Sequence, residues 1–132
     1  MANSAQRKGK GYEREMAKKL KRLSGDALEV YRVPCSGAID GFKGDLRIIA
    51  KDPDWQPWAE IVPECKKQES LNIWKAMAQA EAAAGRHIPI VLFSRNFADD
   101  YCCIKTADLI GLYQSGLAEM ELLVEKMKGE QK

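Results

Sequence analysis

Histidine is nearly missing from this chain: His87 alone serves 132 residues. That excludes the Ser-His and Cys-His pairs in which an imidazole activates a nucleophile, and with them histidine-based nuclease chemistry. His87 stands just before an apolar run and reads as a strand-entrance residue, not a ligand. Cysteine is thin as well. Cys35, Cys65, Cys102 and Cys103 form no C-x-x-C pair and no zinc-knuckle spacing, which argues against a structural zinc site or a disulfide framework. They read as buried free thiols, with the adjacent Cys102 and Cys103 facing opposite ways on a strand. No run approaches the ~18 apolar residues of a membrane span, and the first residues hold no apolar signal region. The expectation is a cytoplasmic protein with no membrane partner.

The chain has the length of one domain with a real core, here taken as residues 1–132. Its net charge of +2 hides an asymmetry. Residues 1–22 carry eight Lys and Arg against Glu13 and Glu15, a net of +6, so the other 110 residues sum to −4. A basic segment on a weakly acidic body is a footprint for polyanions, nucleic acid above all, although a solvated helix face gives the same count.

Residues 1–8 are polar and read as a flexible basic N-terminus. From Lys10 to Ser24, Tyr12, Met16, Leu20 and Leu23 recur at helical steps, and Gly25 stands where a helix stops. Ala27–Val33 reads as a strand with Leu28, Val30 and Arg32 on one face. The glycine-rich loop from Ser36 leads into a second strand, Gly44–Ala50. Lys51–Ala59, broken by Pro53 and Pro57, reads as a loop in which Trp55 and Trp58 cap the core edge. Glu60–Lys66 is the third strand, and the missing amide of Pro63 must face a gap, a bulge or solvent. Ser70 is the expected N-cap of a helix that Gly85 ends. Ile88–Ser94 is a buried strand, Asn96–Asp100 a turn and Tyr101–Lys105 a fifth strand. A helix to Ser115, stopped by Gly116, precedes an amphipathic extension over 117–132. This order predicts an α/β fold with a mixed sheet of about five strands flanked by helices.

The chemistry gathers between Gly44 and Lys66. Strand alternation puts Glu64 and Lys66 on one face and Cys65 on the other. If the second and third strands pair as a hairpin, Asp45 reaches the same face. Asp45, Glu64 and the Cys65 backbone carbonyl are hard oxygen donors for a divalent cation. Glu13, at the border of the first helix's apolar stripe, is placed to add a further carboxylate. Lys66 can orient a water or offset charge on a phosphate, as can Lys75 and Gln79, which share a face of the second helix. A surface ion pair along a strand is the plain alternative for Glu64 and Lys66.

The order of these segments resembles the PD-(D/E)xK nuclease superfamily, and within it the archaeal-type Holliday junction resolvases and their phage-borne relatives. The resemblance rests on residues 7–15, Ser36-Gly37, Gly44-Asp45, Glu64-Cys65-Lys66 and the helix with Ala78-Gln79-Ala80, across roughly residues 7–95. It implies a restriction-endonuclease-like core, Mg2+ dependence with Mn2+ as substitute, and cleavage of DNA to 5′-phosphate ends. It also implies a homodimer, because symmetric cutting of a four-way junction needs two sites. By position, Glu13 matches the helix-one carboxylate, Asp45 the metal-bridging aspartate, Glu64 and Lys66 the Glu-x-Lys pair, and Ser36 the loop serine near the scissile phosphate. Asp40 ranks second to Asp45, since it precedes the apolar run. Arg7, Lys8, Lys10, Arg14, Lys67 and Lys75 are the expected DNA-binding cations. Other DNA targets (duplex ends, nicks, single strands) and a non-catalytic DNA-binding role remain open at this point.

Overall fold

The structure is a computed structural model that describes residues 4–33 and 44–130. Helix α1 spans Ser4–Leu23 and buries Tyr12, Met16 and Ala17 against the strands, with Leu20 packed alongside. Its end is a Schellman turn: the Asp26 amide donates to the Lys21 carbonyl and the Gly25 amide to that of Arg22. Gly25 takes the left-handed φ of 62° that this turn requires. The helix begins earlier than the sequence suggests. Residues 4–8, expected to be flexible, are helical, because Ala, Gln, Arg and Lys are good helix formers however polar the run.

Strands β1 (Leu28–Arg32) and β2 (Leu46–Ala50) pair antiparallel. Strand β3 (Ile61–Lys67) pairs parallel with β4 (Ile88–Ser94), and β4 pairs antiparallel with β5 (Tyr101–Ile104). Among the described residues the fold is α/β with five strands, as expected, divided between a two-stranded and a three-stranded mixed sheet. This is compatible with a restriction-endonuclease-like core. The β2–β3 hairpin does not form: β2 takes β1 as its partner and meets β3 through Asp45. The segment between β2 and β3 is not an open loop but a 3-10 helix, Pro53–Glu60, capped by the Asp52 side chain. Trp55 packs against the core beside the more exposed Trp58, at 6.0 Å between ring centroids.

Helix α2 (Ile73–Ala84) crosses from β3 to β4. Its N-cap is Asn72, not Ser70, since the Asn72 side chain accepts from the Lys75 amide at 3.1 Å. Gly85 ends it as expected. Ala76 and Ala80 meet Val91 on this face of the sheet, while Leu28, Val30, Leu46, Ile48, Ile61, Ile90 and Leu92 form the larger core under α1. Helix α3 runs unbroken over Thr106–Glu130. Gly116 does not stop it: among the described glycines only Gly25 and Gly85 have positive φ, and Leu, Ala, Glu and Met after Gly116 favour continuation. None of the described helices is long and apolar enough to cross a membrane.

Candidate active site

Asp45 is pinned where the two sheets meet. Its amide donates to the Pro63 carbonyl at 3.0 Å, and its own carbonyl accepts from the Val33 amide at 2.9 Å. Its side-chain Oδ2 accepts from the Cys65 amide at 2.9 Å. One residue therefore ties the β1–β2 hairpin to β3. These bonds also explain Pro63. In a strand the N–H and C=O of one residue point to one edge, and successive residues alternate edges. Pro63 and Cys65 point toward Asp45, so the amide that Pro63 lacks falls in the gap between the sheets and no bond to β4 is lost. By the same rule the Cys65 carbonyl lies on the Asp45 edge.

Glu64 lies across from Val91 on β4 and is 9% exposed. Burial, then the Asp45 charge and a hydrogen bond with Asp45, push its carboxyl up to about 8, while Lys66 acts in the opposite direction. Lys66 lines a cleft of about 360 Å³ with Gln68, Asn72, Lys75 and Gln79. Glu64 and Lys66 thus share the face that α2 covers, and Lys75 and Gln79 reach it from the helix.

Glu13 comes to the same region from α1, but Arg32 holds it: Arg32 Nε donates to Glu13 Oε2 at 2.6 Å. Burial and the Asp45 charge raise the Glu13 carboxyl above the ordinary glutamate value, with Arg32 and Lys10 opposing. Among the described residues no three Asp, Glu, Cys or His side chains are gathered as a metal-holding set. The close oxygen donors are Asp45 and Glu64, with the Cys65 carbonyl on their edge and Glu13 behind its arginine. Sequence reasoning missed Arg32 as a partner, although an arginine in line with Leu28 and Val30 on a half-buried strand was the available signal.

The other expected residues divide. Lys67 places its ammonium 5.7 Å from the centre of the Tyr12 ring, on the α1 side, away from the cleft. Tyr12 in turn donates to Asp100 Oδ1 at 3.0 Å, and Lys19 pairs with the same carboxylate. The Asp100 carboxyl is held below its ordinary value by those two hydrogen bonds, although burial raises it. Lys8 stands 3.9 Å from Glu69, while Arg7, Lys10 and Arg14 are exposed on α1. The Cys65 thiol is buried under α1, and burial pushes its pKa far up, so it is chemically quiet. Cys102 and Cys103 are free thiols, but Cys102 is exposed, not buried. Cys35, Ser36 and Asp40 lie outside the described residues.

An aspartate just ahead of one strand, hydrogen-bonded to a neighbouring strand that carries Glu-x-Lys, within an α/β fold, is the arrangement that the resemblance to PD-(D/E)xK nucleases leads one to expect. The chain matches the family model described as "Phage putative PDDEXK endonuclease" over residues 4–131, and it belongs to that family. No curated protein and no solved structure gives a significant match.

Proposed function

We propose that the protein is a Mg2+-dependent DNA endonuclease that cuts branched DNA, four-way junctions above all, as a homodimer inside a phage-infected bacterial cell. The observation that carries the reading is the bond from the Cys65 amide to Asp45 Oδ2, which sets Asp45 beside Glu64. Burial first, and then the neighbouring Asp45 carboxylate, push Glu64 up to about 8, and a cation bound between the two would relieve that repulsion. Their hard oxygens, with the Cys65 carbonyl on the same edge, suit Mg2+ or Mn2+. The donors therefore fit the ion: Asp45, Glu64 and Cys65 hold it, with Glu13 as the adjacent carboxylate. When bound, such an ion supplies acidification of a water and neutralisation of charge on a phosphate.

The chain's own groups do the rest. Lys66 Nζ, two residues along the strand from Glu64, donates to the attacking water or to a non-bridging phosphate oxygen. Lys75 and Gln79 hold the phosphate from α2, with Lys75 contributing charge and Gln79 an amide donor. The Arg32–Glu13 pair fixes the α1 carboxylate at the rim. The exposed cations of α1 hold the flanking backbone without reading sequence. Symmetric incision of a junction requires two such sites, which is the support for a homodimer.

The test is cleavage of a labelled four-way junction beside a matched linear duplex, with Mg2+, with chelator, and with Asp45→Asn. Paired cuts in the junction alone, abolished by chelator and by Asp45→Asn, are expected. Equal cutting of both substrates keeps the nuclease and discards the junction preference. Tight junction binding without cutting under Mg2+ or Mn2+ replaces the enzyme with a DNA-binding protein of the same fold.

A further inference from the structure

We infer that Phe97 is a wedge that stacks on an unpaired or unstacked base at a branch point, next to the cleavage site. Phe97 is 109% exposed, more than any other large apolar side chain described, so no burial in its own chain accounts for it. It also holds a φ of 60°, a backbone conformation that glycine or asparagine takes readily and a bulky residue rarely does. An exposed aromatic kept at a strained apex is explained by something outside the chain.

The turn that carries it is firmly built. The Ser94 side chain is buried, and its hydroxyl lies 3.1, 3.1 and 3.0 Å from the carbonyls of Arg95, Ala98 and Asp99. The Ala98 amide donates to the Arg95 carbonyl at 3.2 Å, and the Asn96 amide to Glu69 Oε1 at 3.0 Å. Behind the apex, Tyr101 stacks on Phe93 at 5.9 Å between centroids. A braced stem with one bare ring at its tip is the form of an inserted side chain, which must not give way when it unstacks bases.

Its place in the fold selects the ligand. β3 and β4 are parallel with Lys67 opposite Ser94, so the turn leaves the sheet at the end where Lys66 enters the cleft. The Gln68 amide donates to the Ser94 carbonyl at 3.1 Å, which fixes that alignment. Arg95 is exposed on the turn, and Lys8 of the basic helix reaches Glu69, whose carboxylate holds the Asn96 amide. Asp99 is exposed there too, but Asp100 is neutralised by Lys19 and Glu69 faces Lys8. A bare aromatic ring on a turn that also carries the exposed Arg95, at the end of the sheet where Lys66 enters the cleft, suits a base with a free π-face, which stacked duplex withholds and a branch point offers.

The inference rests on the endonuclease reading and is tested apart from cleavage. Full-length Asp45→Asn protein is titrated into a four-way junction carrying 2-aminopurine at the branch, and into the matched duplex. The same titrations use Phe97→Gly and Phe97→Trp in that background. Expected are a rise in 2-aminopurine signal with the parent, loss of that signal and about ten-fold weaker junction binding with Phe97→Gly, unchanged duplex binding, and retention with Phe97→Trp. Phe97→Gly must also melt no lower than its parent, because glycine suits the left-handed apex. Junction binding and signal equal to the parent's overturn the wedge, as does equal loss on both DNAs. Absence of binding to any DNA by wild type and parent alike overturns the endonuclease reading itself.

Discussion

Glu64 joins burial to a neighbouring negative charge, and its raised carboxyl has a consequence for stability. A group whose folded value lies above its unfolded one stabilises the fold below the unfolded value, near 4.5, and loses that contribution as pH rises through about 8. Metal-free protein is therefore expected to be more stable at pH 6 than at pH 8.5. Over the whole range the difference is of the order of 2–5 kcal/mol at ~1.36 kcal/mol per unit. Chemical denaturation in chelator at the two pH values measures it, and Glu64→Gln should flatten the slope. Cys65 contributes differently, through its backbone. Cys65→Ala is expected to cost roughly 1–2 kcal/mol of stability, for a lost buried sulfur, while cleavage stays within a few-fold of wild type. Loss of cleavage by a well-folded Cys65→Ala protein, read from kcat and Tm together, would assign the thiol a role that its burial argues against.

At the scale of elements, the hinge is the junction of β2 with β3. Asp45→Asn keeps an acceptor for the Cys65 amide and should hold its stability. Asp45→Ala strands that amide in the gap and is expected to cost about 1–3 kcal/mol, visible as a lower denaturation midpoint. Much of this scale was legible from sequence. The Tyr12, Met16 and Leu20 steps gave α1, and the apolar run of β4 and the alternation at Glu64 and Lys66 gave the right strands. What was not legible depends on pairing across distance. Nothing local tells β2 to take β1 rather than β3, because both partners present similar apolar faces, and so the expected hairpin gave way to a single-residue clamp. The Glu13–Arg32 pair is hidden for the same reason, since its members lie on different elements. Gly116 misled because a glycine stops a helix only where the backbone turns left-handed, and good helix formers follow it. Phe97 gave no signal at all: strain and exposure are properties of the folded turn.

For the whole molecule, charge and shape point the same way. The +6 of residues 1–22 lies along α1, whose apolar side is spent on the core, so Arg7, Lys10 and Arg14 face outward. If α1 with Lys8 makes about four phosphate contacts, raising salt from 50 to 200 mM should weaken DNA binding by about 10²-fold. Fluorescence anisotropy with a labelled junction measures this, and an affinity that scarcely moves would remove α1 from the interface. The central claim is that Asp45, Glu64 and the Cys65 carbonyl form one divalent-cation site. Calorimetric titration of Mg2+ at pH 7, repeated in buffers of different ionisation enthalpy, tests it directly. Because Glu64 is largely protonated there, wild type is predicted to release close to one proton per ion bound, whereas Glu64→Gln releases none and binds more weakly. Mg2+ binding with no proton release, or binding that survives both Glu64→Gln and Asp45→Asn unchanged, would contradict the account.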